Sequence, residues 1–171
     1  MDLFGTEYIA FFSRLLHVLS GVMWIGLLWY FNFVQIPSMP NIPDDQKPAI
    51  SKVIAPKALF WFRWAALATI LTGLSTAYLN GYLSNALSLG MIDGSTKTHT
   101  AIGIGMWLGI IMAYNVWMII WPNQKIALGI INTNPDLKPI AARKAMLFSR
   151  TNTALSIPML YAMVSAQNLS Y

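Results

Sequence analysis

Four apolar stretches leave this chain few ways to fold: roughly Tyr8 to Val34, Leu59 to Gly81, Thr98 to Trp121 and Phe148 to Gln167. Each meets the requirement of about 20 helical residues for crossing a hydrocarbon core. The composition agrees, because 56% of the 171 residues are hydrophobic and only 10% are charged, which marks a membrane protein. The expected fold is an all-α integral membrane domain spanning residues 1–171, a four-helix transmembrane bundle. None of its connections is long enough to form a second domain.

The N-terminal segment carries Asp2 and Glu7 without a basic cluster. Its apolar run exceeds a signal-peptide core, so the first helix is expected to be retained. With no cysteine in the chain, disulfides, thiolate metal sites, iron–sulfur clusters and covalent haem attachment are excluded.

The net charge of +5 is a matter of topology. Lys47, Lys52 and Lys57 fall between the first two spans, and Lys125, Lys138, Arg143 and Lys144 fall between the last two. Only Lys97 and Arg14 lie toward the opposite side. The positive-inside rule then places both lysine-bearing connections in the cytoplasm and both termini outside, in a cell (inner) membrane. No nucleic-acid partner is expected.

The chain also resembles itself. HVLSGVMWIG at 17–26 matches HTAIGIGMWLG at 99–109 with one inserted residue. Each copy has a histidine (His17, His99), a glycine four residues later (Gly21, Gly103), and Met-Trp-x-Gly (Met23, Trp24, Gly26; Met106, Trp107, Gly109). Asn32 and Asn115 each follow that tryptophan by eight residues, and Pro37 or Pro122 comes near the membrane exit. KALFWFRWAAL at 57–67 likewise parallels KAMLFSRTNTAL at 144–155. Two tandem two-helix repeats, about 1–88 and 89–171, would enter the membrane in the same direction, related by a pseudo-twofold axis along its normal.

Histidine inside a membrane is expensive and marks a functional site by default. The repeat axis would bring His17 and His99 to similar depth near the outer face, on facing helices. Haem iron takes an imidazole on each side of the macrocycle, so the pair would supply both iron ligands of a non-covalent haem b. Gly21 and Gly103, each one turn along the same helical face, would make room for the ring. Trp24, Trp107, Met23 and Met106 would cover its edge, and Arg14 and Lys97 would neutralise its propionates.

Other readings are open for the same residues. The histidines would also serve as hydrogen-bonded packing groups or proton relays, or, with methionines, as copper ligands. Tryptophans near span ends act as interfacial anchors, and spacings such as Gly105 to Gly109 serve close helix packing. Arg63 and Arg150 read as snorkelling to lipid phosphates, or as serving a quinone or porphyrin carboxylate. Ser95 or Thr96 is the expected N-cap of the third span, and PSMPNIPDD at 37–45 and NTNPDLKP at 132–139 carry turn signals. No phosphate loop, dinucleotide fingerprint or HExxH occurs. The spans also lack Asp and Glu for nucleophilic catalysis, which leaves chemistry borrowed from a cofactor.

HVLSGVMWIGLLWYFNF, IGIGMWLGIIMAYNVWMIIWPNQK and SRTNTALSIPMLYAM resemble the membrane domain at the N-terminus of the bacterial membrane-bound urate oxidase (urate hydroxylase) family. The likeness is most specific at WPNQK and SRTNTALSIPML. Members of that family that oxidise urate have a longer membrane part and a cytochrome c domain, and this sequence has no CxxCH, so urate oxidation is not expected of it. More distantly, His17 followed by Trp24 and Gly26, with Arg150 and Asn152 before Pro158, is similar to the four-helix membrane protoporphyrinogen oxidase that binds haem b. Together the resemblances imply a small haem-binding redox membrane module.

Two functions follow as expectations. The first is a membrane-embedded b-type haem protein for electron transfer or cofactor-dependent oxidation, fed by a quinone or passing electrons to an outer-face acceptor. The second is a non-catalytic transmembrane subunit or assembly factor of a larger respiratory or photosynthetic complex, or of a homo-oligomer.

Overall fold

The computed structural model describes residues 5–132 and 134–169, so Asp2 and Thr133 lie outside the described residues. The described chain is all helical, with no strand. Its helices are α1 (Thr6–Asn41), α2 (Ala49–Leu79), α3 (Leu83–Leu87), α4 (Lys97–Ala127) and α5 (Leu137–Asn168). Three of them, α1, α2 and α4, are long and apolar enough to cross a membrane.

At 1.5 Å per residue, 31 residues extend about 46 Å, well past a hydrocarbon core of about 30 Å. The residues that follow the turn-rich segments 37–45 and 132–139 are continuous with the long helices, forming the first turns of α2 and α5.

The helices run on through Pro37 and Pro122, the prolines expected near the membrane exits. Each of three wide π turns, Tyr30–Gln35, Ala49–Ile54 and Asn115–Ile120, sits immediately before an x-Pro pair (Ile36-Pro37, Ala55-Pro56, Trp121-Pro122). A proline ring in an α-helix collides with the carbonyl four residues back and cannot donate to it. Widening the preceding turn changes the register: Ile36, Ala55 and Trp121 donate five residues back, to Phe31, Ile50 and Val116. The acceptor that would clash is thereby moved aside.

Glycine stops α4 and α2. At Gly129, where φ is +71°, α4 closes in a Schellman motif, with Ile130 N–H bonded to Lys125 O and Gly129 N–H to Ile126 O. Gly81, with φ +74°, ends α2 by the same pattern, Tyr82 N–H bonding Ala77 O.

Packing is pairwise. α1 lies along α2 and α4 along α5, while α2 with α4 and α1 with α5 join the pairs. The two histidine-bearing helices, α1 and α4, share no extended contact. The core at the lysine-bearing end is apolar, built from Trp24, Leu28 and Phe31 of α1, Leu59 and Phe62 of α2, Met112 and Val116 of α4, and Met159 of α5. Phe31 meets Phe62 edge to face at 5.8 Å.

α5 reaches its partners through a seam of small residues. Ala141, Ala145, Ser149, Asn152 and Ser156 are buried at intervals of three and four, the spacing that lets backbones approach closely where lipid already solvates apolar groups. That seam, with Lys138, Arg143 and Lys144 in its first turns, lowers the hydropathy of α5 below that of the other three long helices.

Candidate functional site

The half of the α1–α2 contact away from the lysine-bearing end is polar, and it positions His17. Ser13 Oγ lies 2.9 Å from Thr76 Oγ1 and donates to Thr72 O at 3.3 Å. One turn along, His17 Nδ1 is 2.9 Å from Thr69 O. A carbonyl only accepts, so the proton sits on Nδ1 and the Nε2 lone pair is free.

Gly73 makes this seat. A Cβ there would fall 2.8 Å from His17 Cε1 and 3.0 Å from Nδ1, so any larger residue would push the ring off Thr69. A half-buried imidazole whose outer nitrogen is fixed by a backbone carbonyl, with Nε2 presented, is the arrangement that orients metal-bound histidines. Sequence reading missed Thr69 and Gly73. The only signal was a lone glycine inside the apolar run LTGLST.

His99 is built differently. Thr96 is the N-cap of α4, as expected, and His99 is its capping-box partner at N3. Thr96 N–H donates to His99 Nδ1 at 3.0 Å, so Nδ1 is the acceptor and, in the neutral ring, Nε2 carries the proton. The ring stacks on Tyr82 at 6.3 Å with planes 24° apart. Burial pushes the Tyr82 phenol up, and the charge of Arg14 opposes this.

The expectation of two histidines on facing helices at one depth is therefore corrected. α1 and α4 share no extended contact. His17 sits beside Thr69, ten residues inside the end of α2 at Leu79, whereas His99 stacks on a residue beyond that end. The repeat implied the same packing for both copies, but tertiary contacts gave each histidine a different partner.

The remaining candidates separate in the same way. Gly21 faces Thr69 Cγ2, 3.9 Å from its would-be Cβ, and a Cβ at Gly103 would run into the Ala86 carbonyl. The space beside Gly103 is thus filled by α3 and not left for a macrocycle. Trp107 is 43% exposed and donates its indole N–H to Leu87 O at 3.0 Å, tying α3 to α4. Trp24 is 1% exposed in the core, with no partner for Nε1 among the described residues. Met106 is buried and Met23 exposed. Arg14 and Lys97 are exposed near the Tyr82–His99 stack. Among the described residues no three of His, Cys, Asp and Glu come together. By donor chemistry His17 would be able to hold a haem iron, whereas His99, with Nδ1 engaged by Thr96 and its ring on Tyr82, would not join it from the same chain.

Two further clusters escaped sequence reading. Asn115 donates to Asn152 Oδ1 at 2.9 Å, and Asn152 donates to Met112 O at 2.9 Å, a buried hub that holds α4 to α5. At the lysine-bearing end, Trp121 carries the Arg63 guanidinium on its ring at 3.8 Å.

Among curated proteins and among solved structures, nothing matches this chain, and the more distant likeness to protoporphyrinogen oxidase finds no counterpart there. A family match covers α4 and α5, where the specific motifs WPNQK and SRTNTALSIPML lie: residues 87–169 match the urate oxidase N-terminal family, the family these motifs resemble.

Proposed function

We propose that the chain is a membrane-embedded b-type haem protein serving electron transfer or cofactor-dependent oxidation, with His17 as the iron ligand in the outer half of the membrane. The observation that carries this reading is the His17 seat: Nδ1–H held by the Thr69 carbonyl at 2.9 Å and the ring held against Gly73. When bound, haem supplies the one-electron redox chemistry. His17 presents Nε2, Thr69 fixes the tautomer, Ser13 and Thr76 hold the two helices at that level, and Arg14 at the outer end provides a positive charge for an ionised carboxylate. The second ligand comes from outside the His17–His99 pair.

The proposal includes a fourth crossing by α5, supported by its 32-residue length and its packing along α4. Tandem repeats are supported by the π turn that precedes a proline in both α1 and α4. The lysine-rich connections support cytoplasmic loops and outward termini in a cell membrane.

Absorption spectra of the purified protein test the ligand. A reduced b-type band is expected in the wild type and in His99→Ala, and its loss is expected in His17→Ala. A colourless wild type, or a band that survives His17→Ala, overturns the proposal.

One observation favours the second reading, a non-catalytic subunit. The outward face of α1, including Val18, Leu19 and Val22, is more than half exposed and wholly apolar, and Leu19, Val22, Met23 and Gly26 line a shallow groove with Ala58 and Trp61. That reading predicts a colourless protein that migrates only within a larger membrane complex.

A further inference from the structure

The lysine-bearing end holds a cation pair without an anion. The Arg63 guanidinium lies 3.8 Å from the centre of the Trp121 ring and 5.3 Å from that of Phe60. Lys125 Nζ lies 5.7 Å from the same Trp121 ring, so the two charges are at most about 9.5 Å apart, the limit those distances permit. Aromatic faces stabilise each cation but leave the N–H donors of both unused. Among the described residues neither side chain makes a hydrogen bond or an ion pair, and the single carboxylate pair is Lys47 with Asp44.

The site is also fixed in place. Trp117 Nε1 donates to the Arg63 carbonyl at 3.1 Å and its ring meets Trp64 edge to face at 5.4 Å, locking α2 to α4 where Arg63 emerges. Arg63 lies 16 residues from Leu79 at the other end of α2, about 24 Å along the helix, so with Leu79 at one boundary of a hydrocarbon core about 30 Å thick it falls just inside the other. Water is scarce at that depth and phosphoryl oxygens are near. A planar guanidinium stacked on one face keeps its donor edge free for bidentate contact with such oxygens, and the flexible lysine reaches a third.

We propose that Arg63, Lys125 and Trp121 form a binding site for a phosphoryl anion, the headgroup of an anionic phospholipid in the adjoining leaflet. The site is independent of the haem reading.

The full chain is placed in nanodiscs containing brominated phosphatidylglycerol or brominated phosphatidylcholine at equal mole fraction; quenching of tryptophan fluorescence reports which lipid the chain gathers, and the variants below assign the preference to this site. The wild type is expected to prefer the anionic lipid. Lys125→Gln lowers the preference about fivefold, the worth of one basic residue near a bilayer surface, and Arg63→Gln with Lys125→Gln removes it. Lys52→Gln, an equal charge change on the exposed first turns of α2, leaves the preference in place. Arg63→Lys keeps bulk and charge but loses the fork, so it retains part of the preference if the double variant does not fold.

A preference that persists in excess inorganic phosphate assigns the site to the lipid headgroup; one abolished by it assigns the site to soluble phosphate. No preference in the wild type, or a loss as large in Lys52→Gln as in Lys125→Gln, overturns the proposal.

Discussion

Gly103→Ala separates two roles for the same glycine, as room for a ring or as a seat for α3. The added Cβ would lie 2.1 Å from Ala86 O, 3.1 Å from Ala86 C and 3.2 Å from Leu89 Cδ2. A carbon–oxygen contact relaxes only at about 3.3 Å, so α3 must retreat by about 1 Å. It is not free to do so. Ala86 is fully buried, Trp107 is bonded to Leu87 O at 3.0 Å, and Asn85 is bonded to Ser95 Oγ at 2.9 Å. Overpacking costs about 1–3 kcal/mol, and weakening the two hydrogen bonds adds about 0.5–1.5 kcal/mol each. Against this, alanine gains about 1 kcal/mol of helix propensity. The net expectation is destabilisation by about 2–4 kcal/mol, read by denaturant unfolding of the protein in detergent. Gly26→Ala is the control, since nothing lies within 4 Å of its Cβ, and it should be neutral or slightly stabilising. If Gly103→Ala is as stable as Gly26→Ala, α3 does not close over α4 as described, and the space beside Gly103 is open to a ligand after all.

Three further outcomes follow from the same geometry. Gly73→Ala should displace the His17 ring from Thr69 and shift or abolish a haem absorption band while leaving helicity intact; an unchanged band would show that the seat is irrelevant to ligation. Asn152→Leu removes both the acceptor for Asn115 and the donor to Met112 O, so thermal unfolding should report a loss of about 1–2 kcal/mol; wild-type stability would mean that the hub is incidental. The folded state raises the Tyr82 phenol, so its contribution to stability is in place below the unfolded value near 10 and is lost as pH climbs through the higher folded value. Melting followed upward from about pH 9 should show that alkaline loss in the wild type and less of it in Tyr82→Phe; equal losses would place the titration elsewhere.

What could be read from the sequence was what depends on local pattern. Helix positions followed from apolar length, Thr96 from capping chemistry, and the importance of His17 from the rarity of ionisable groups in lipid. The partners of those residues were illegible, because they depend on how each helix is rotated about its axis. Nothing in HVLSGVMWIG says that Thr69 and Gly73 will face His17, and nothing in HTAIGIGMWLG says that Gly103 will meet a backbone carbonyl from the preceding connection. The repeat suggested symmetry, but equal residues met unequal surroundings: Trp24 is buried whereas Trp107 is half exposed and bound to Leu87 O. α5 read as a span from residue 148, although its helix begins at Leu137, because the charges in its first turns hide the continuation.

The π turns before Pro37, Pro56 and Pro122 carry a lesson about insertions and deletions. A wide turn holds one residue more than the α-helix it interrupts, and the proline downstream depends on that surplus. Residue and proline therefore form one heritable unit. Deleting a residue from Asn115–Ile120 alone would restore a tight turn and drive the Pro122 ring into the carbonyl behind it. Deleting it together with Pro122→Ala would leave an ordinary helix of nearly the same length. At Leu108, where no slack exists, a one-residue deletion would instead rotate everything beyond it by about 100° and turn Asn115 away from Asn152. These three points are where the register of the chain can change without dismantling its packing.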